Sequence, residues 1–146
     1  MTEKKIQKFL TINWNRLFGL HLNFLEEEHK VYSKHQESHM GGYRIDIIAE
    51  SKDGCKKYLI ELKNESSKWM DACKIVGYRG MFYCNLYSPM EVGRFDFDDF
   101  IPTIMIPEPG EDKDIIVGSL RMAGIKWIFF NIDEKKQEID IVDWEL

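Results

Sequence analysis

The chain has 146 residues, of which 44% are hydrophobic and 31% charged, and carries a net charge of −5. This length suits one domain, residues 1–146, able to bury roughly two-thirds of its unfolded surface, and the composition excludes a disordered or collagen-like chain. The acidic balance argues against a broad phosphate-binding face, although acids gathered around a cation reverse the local sign.

Residues 3–28 carry Ile6, Phe9, Leu10, Trp14, Leu17, Phe18, Leu22 and Leu25 at helical spacing, which predicts a helix, broken into two pieces at Gly19. Residues 29–36 read as a first strand, and Gly41-Gly42 as a turn. Residues 43–49, YRIDIIA, predict a second strand and residues 58–63, YLIELK, a third, with a hairpin turn at Lys52-Asp53-Gly54 between them. Asn64 and Ser66-Ser67 offer N-caps to a helix over residues 68–85. Residues 88–100, with Pro89 and Gly93, read as a loop. A short strand follows at 103–106, a helix at 112–123 ended by Gly124, then strands at 126–132 and 138–144. The order predicts an α/β layer built on a mixed sheet.

No run of about 18 apolar residues is present, so no membrane-spanning helix is expected. The first residues, MTEKKIQKF, lack the apolar stretch of a secretion signal. Cys55, Cys73 and Cys84 form neither a C-x-x-C pair nor an even set. Reduced thiols and a cytoplasmic location are expected.

The chemistry-bearing stretch is RIDIIAESKDGCKKYLIELK, residues 44–63. Alternation along a strand puts Glu61 and Lys63 on one face, with Ile60 and Leu62 on the other, toward the core. The Asp-Gly turn can bring Asp46 alongside Glu61, depending on register. Two carboxylates in an apolar setting repel each other, and a hard divalent cation relieves that cost. Mg²⁺ takes one or two carboxylates, waters and substrate phosphate oxygens. It would activate water and neutralise developing charge, with Lys63 positioning the water or stabilising the phosphoryl oxygens. A surface hairpin with solvated charges is the bland alternative.

Gly42-x-x-x-Asp46 followed by Ile60-Glu61-Leu62-Lys63 resembles the core motif of the PD-(D/E)xK nuclease superfamily, in particular its RecB-like members and the C-terminal domain of NucS-type endonucleases. The likeness runs over most of the chain. Glu3-x-x-Ile6-x-x-Phe9-Leu10 looks like the family's first helix, with Glu3 where some relatives place an extra acid. Residues 71–78 look like the helix that often shows Q-x-x-x-Y; Tyr78 matches, while Lys74 replaces the glutamine. Residues 101–132 resemble the closing strand–helix–strand, and Ile45 stands where the motif's proline would be.

The resemblance implies a restriction-endonuclease-like core, a mixed central sheet flanked by helices. It implies a Mg²⁺-dependent deoxyribonuclease, with Mn²⁺ substituting. Asp46, Glu61 and the backbone carbonyl of Leu62 would bind the metal, and Lys63 would be the catalytic lysine. It further implies a 3′-oxygen leaving group and 5′-phosphate products. The partner is DNA, with the short acidic chain expected to act as a homodimer or with a DNA-targeting protein. Trp127, Phe129 and Trp144 are expected to supply apolar surface for such an interface. The alternative is an inactive nuclease-fold chain serving as a DNA- or protein-binding assembly module.

Other clusters read as structural. His29, His35 and His39 are expected to be solvated rather than zinc ligands. Trp69, Tyr78, Phe82, Tyr83 and Tyr87 are expected to pack in the core or at an interface, and Lys68, Lys74 and Arg79 to reach solvent or phosphate. The segment FDFDDF, residues 95–100, packs its phenylalanines or serves as a partner-binding element.

Overall fold

The computed structural model describes residues 1–31, 43–86 and 96–146, with the backbone alone for Met81, Phe82, Cys84, Asn85 and Leu86. The expected Gly41-Gly42 turn, and His35, His39, Tyr87, Pro89, Gly93 and Phe95, lie outside the described residues.

The chain opens with α1 (Glu3–Ile12), whose Thr2 hydroxyl accepts from Lys5 N and so caps the first turn. Ile6 and Leu10, one turn apart, form its buried stripe. A second short helix, α2 (Trp14–Phe18), buries Trp14 and Phe18. The helix expected to continue to residue 28 does not. From Leu22 the backbone is extended as β1 (Leu22–Val31), paired antiparallel with β2 (Tyr43–Ser51). Leu22 and Leu25 keep helical spacing, but pairing with β2 satisfies the segment's backbone groups and overrides it. The position also explains Glu26, Glu27 and Glu28: β1 is an edge strand, and charge on an edge discourages pairing with other chains. The expected strand at 29–36 begins inside β1; its remainder lies outside the described residues.

β2 turns into β3 (Lys57–Leu62) as the Asp-Gly signal predicts. Gly54 takes φ 74°, a conformation that costs glycine little, and Asp53 Oδ1 accepts from Cys55 N at 2.9 Å. The helix expected over 68–85 is divided. A 3₁₀ turn (Ser66–Lys68) leads to α3 (Trp69–Ala72), and α4 (Ile75–Leu86) starts after an interruption at Cys73 and Lys74. No side chain caps the 3₁₀ turn, so Asn64 and the two serines do not play the capping role expected of them. β4 (Phe100–Pro107) is longer than its predicted core and follows a 3₁₀ turn over Phe97–Asp99. Then come α5 (Lys113–Ala123), closed by Gly124 at φ 71°, β5 (Lys126–Asp133) and β6 (Glu138–Glu145).

The strands form a six-stranded sheet among the described residues, ordered β1-β2-β3-β4-β5-β6. β3, β4 and β5 are mutually parallel, and the other neighbours are antiparallel, so the expected mixed sheet is present. Both crossovers, β3 to β4 and β4 to β5, step the same way across the sheet. A constant hand of crossover then requires their helices to share a face. Accordingly Ala72, Ile75 and Tyr78 join Ile116 and Leu120 against Leu59, Ile104 and Phe129. α1 and α2 cover the other face, where Ile6, Leu10, Trp14 and Phe18 meet Ile47, Ile60, Leu62 and Phe130. β3 and β4 are therefore buried on both sides, which accounts for their near-continuous apolar sequences.

Trp127 and Phe129, expected as surplus apolar surface, are 3% and 0% exposed and belong to this core. The parallel core of the sheet needs both its faces filled, so these rings are used internally. No helix among the described residues is long and apolar enough to cross a membrane.

Candidate active site

Within the doubly buried β3, Glu61 is the anomaly: a carboxylate 3% exposed after the apolar run Leu59-Ile60 and before Leu62. Leu59 packs on the α4 side, while Tyr58, Ile60 and Leu62 pack on the α1 side. Alternation puts Glu61 and Lys63 with Leu59, on the α4 side.

The sheet forks beside Glu61. The ladder between β2 and β3 has Ile47 opposite Ile60 as its last pair. One further step in that antiparallel register sets Asp46 across from Glu61. There the backbone ladder is replaced by a side chain: Asp46 Oδ2 accepts from Leu62 N at 2.8 Å. β3 meanwhile stays on β4, with Leu62 opposite Met105 and Lys63 N donating to Met105 O at 3.0 Å. The N–H and C=O of one strand residue point to the same edge. The Leu62 carbonyl therefore turns to the Asp46 side. This notch lies at the carboxyl end of a parallel strand, the end at which open α/β sheets hold ligands.

Four charged side chains converge on it. Lys63 Nζ is 3.4 Å from Glu61 Oε1 and 3.2 Å from Asp71 Oδ2. Lys74 Nζ approaches the same Glu61 Oε1 at 3.2 Å. Glu61 Oε2 is buried and has no hydrogen-bond partner. Burial, then the charge of Asp46, push the Glu61 carboxyl up to about 7 against the attraction of Lys74 and Lys63. Burial also raises Asp46, opposed by the Leu62 N–H and by both lysines. For Lys63 burial acts downward, but Asp71 and Glu61 outweigh it and lift the amine to about 12. Asp71 is held low by the same contact.

Asp46, Glu61 and Lys63 are thus brought together. Glu3 stands at the rim, its Oε1 4.0 Å from Lys68 Nζ, and its charge reaches Asp46 and Lys63. Tyr78 is buried, with Lys74 Nζ 6.0 Å from its ring centroid. Asp71 was not singled out from the sequence. It lies in α3, ten residues from Glu61, and its contact with Lys63 depends on how α3 is set against the end of β3. His29 sits on β1 opposite Ile45, beside Asp46, and its ring contacts Glu26 at 2.8 Å. Trp69 and Tyr83 pack against the core, and Arg79 lies over Phe97 and bonds Asp98; Phe82's side chain falls outside the described residues.

The donor set fits a hard divalent ion. Its oxygens come from two carboxylates and a carbonyl, and the partnerless Glu61 Oε2 is the buried atom such an ion would satisfy. Among the described residues no group of three or more His, Cys, Asp and Glu is arranged to hold a metal; the notch itself offers two carboxylates and one carbonyl. Mg²⁺ and Mn²⁺ are suited to fewer protein ligands, retaining waters and phosphate oxygens.

No protein-family model matches the sequence, and no curated protein matches it. Solved structures do resemble the fold. An EndoMS–double-stranded DNA complex has a TM-score of 0.56 at 12% identity, over 86% of this chain and 43% of that one. The present chain therefore spans less than half of that neighbour's length. An XisH family protein from Nostoc punctiforme has a TM-score of 0.55 at 14% identity, covering 97% and 99% of the two chains. A fdxN element excision controlling factor protein from Anabaena variabilis has a TM-score of 0.50 at 15% identity, covering 97% and 95%. The mixed six-stranded sheet between helical layers is the restriction-endonuclease-like fold shared with these neighbours. The likeness to the PD-(D/E)xK superfamily stands at the level of fold.

Proposed function

We propose that the chain is a metal-dependent DNA endonuclease that hydrolyses phosphodiester bonds, with Asp46, Glu61 and Lys63 as its catalytic residues. The observation that carries this reading is the carboxylate pair at the fork, where Glu61 Oε2 is buried without a partner beside the raised Asp46 carboxyl. Asp46, Glu61 and the Leu62 carbonyl would hold Mg²⁺, with Mn²⁺ as substitute. When bound, that ion supplies positive charge for the scissile phosphate and acidifies water. Asp71 and Glu61 hold the Lys63 ammonium at the notch. From there it orients the attacking water and donates to phosphoryl oxygens as charge grows on them. The leaving group is the 3′-oxygen and the product a 5′-phosphate.

DNA as the partner is supported by a fold neighbour in complex with double-stranded DNA. A net charge of −5 leaves one copy with a weak electrostatic hold on a duplex. The reading therefore includes a homodimer or a DNA-targeting partner protein.

A second reading, an inactive nuclease-fold module that binds DNA or protein, draws support from the ion pair between Lys74 and Glu61, which already partly neutralises the site. Thermal melts and cleavage separate the two. Millimolar Mg²⁺ or Mn²⁺ should raise the melting temperature of the wild type. Glu61→Ala should abolish the rise, and wild type but neither Asp46→Ala nor Lys63→Ala should nick plasmid DNA. Equal cleavage by all three proteins refutes the enzyme reading, and a thermal rise without cleavage selects the second one.

A further inference from the structure

Lys74 is a cation already seated on the proposed metal ligand. Its ammonium lies 3.2 Å from Glu61 Oε1, while the side chain remains 40% exposed. It rises from the interruption between α3 and α4, where its N–H donates to Asp71 O and its carbonyl accepts from Gly77 N, so the backbone is anchored while the side chain reaches outward. One side of the ammonium faces Glu61 and the Tyr78 ring; the charges of Asp46 and Asp71 also reach it. Lys63 differs. It is 7% exposed and braced between Glu61 and Asp71, so it has nowhere to go. Of the two lysines on Glu61, one is fixed and one is free to swing into solvent.

Resting on the reading of the notch as a cation site, we propose that Lys74 is an exchangeable counter-ion that links cation binding to DNA binding. In the cation-free protein its ammonium neutralises Glu61. A divalent cation entering the notch competes with it for the same oxygen. Once displaced, Lys74 stands at the rim of the site, carrying an unpaired charge suited to a backbone phosphate. The exchange is reciprocal by thermodynamic necessity. A phosphate that draws Lys74 away favours the cation, and a cation that displaces Lys74 favours the phosphate. The site would thus resist loading until DNA arrives, and would hold the duplex more tightly once loaded.

Two measurements test this without relying on cleavage. The first is Mn²⁺ binding by calorimetry to wild type, Lys74→Gln and Lys74→Met, in the absence of DNA. Removing a half-exposed competing charge should tighten Mn²⁺ binding by about five- to tenfold. The second is the affinity for a fluorescent DNA duplex in EDTA, read by anisotropy in a double-mutant cycle of Glu61→Gln and Lys74→Gln. Glu61→Gln frees Lys74 and should tighten DNA binding several-fold, and this gain should largely vanish in the Lys74→Gln background.

Mn²⁺ bound by wild type and both Lys74 variants with equal affinity overturns the counter-ion role and leaves the metal site standing. Mn²⁺ bound by none of them overturns the metal site and this proposal together. An equal gain from Glu61→Gln with and without Lys74 shows simple charge relief and overturns the link to DNA. Two Lys74 replacements, one polar and one apolar, guard against an effect of either new side chain.

Discussion

Replacing Glu61 by glutamine should stabilise the cation-free protein above neutral pH, although it removes a partner of two lysines. The wild-type carboxyl is raised from 4.5 to about 7 by burial and by Asp46. A group whose folded value is raised contributes stability that is fully present below its unfolded value and is lost as pH rises through the folded one. The penalty therefore opens between about pH 4.5 and 7 and is complete near pH 8, where the interval corresponds to about 3 kcal/mol. Glutamine avoids this cost, but its buried amide needs hydrogen bonds of its own, at roughly 1 kcal/mol. A net gain of about 1–3 kcal/mol remains, or on the order of 3–8 °C in Tm for a chain of this size. Lys63 keeps Asp71, and Lys74 can turn to solvent, so neither lysine is stranded. The assay is a pair of thermal melts in EDTA, followed by circular dichroism from acidic to mildly alkaline pH. The Tm difference should be small near pH 5 and grow through neutrality. A lower Tm for Glu61→Gln at alkaline pH, or a difference that ignores pH, refutes the reasoning.

Asp46 should behave differently toward two replacements, because its carboxylate caps the Leu62 N–H. Asp46→Asn keeps an acceptor oxygen and should leave stability in EDTA within about 1 kcal/mol of wild type, whereas Asp46→Ala orphans a buried donor and should cost about 1–3 kcal/mol; denaturant unfolding measures both, and equal costs would argue against the cap. Mn²⁺ affinity should fall by about tenfold per pH unit below about 7, because Glu61 must lose its proton to ligate; calorimetry on either side of neutrality checks it, and a flat profile removes Glu61 from the ligand set. Phe129→Ala should cost about 3–5 kcal/mol in stability without weakening any dimer, since the ring is fully buried in the monomer core; unfolding and sedimentation together decide between core and interface.

Much of this molecule was readable from short stretches of chain. Alternation in YLIELK assigns Glu61 and Lys63 to one face, and the Asp-Gly turn joins the two strands that carry the site. These signals are local: a two-residue repeat and a left-handed turn position follow from backbone geometry whatever surrounds them. The same holds for the helix over Lys113–Ala123 and its glycine stop. Other features depended on partners far away in sequence. Residues 22–28 carry helical spacing yet form an edge strand, because β2 supplies the hydrogen bonds that decide between two comparable local preferences. Trp127 and Phe129 look like spare surface until the two-sided covering of a parallel strand absorbs them. The alignment of Asp46 with Glu61 needed a register, the approach of Asp71 and Lys74 needed the segment after β3 to fold back over the strand's end, and the near-neutral titration of Glu61 needed burial. Residue types and their spacing state which groups can act. Desolvation and the meeting of distant strands, which are properties of the assembled fold, determine how strongly those groups are charged and what they touch.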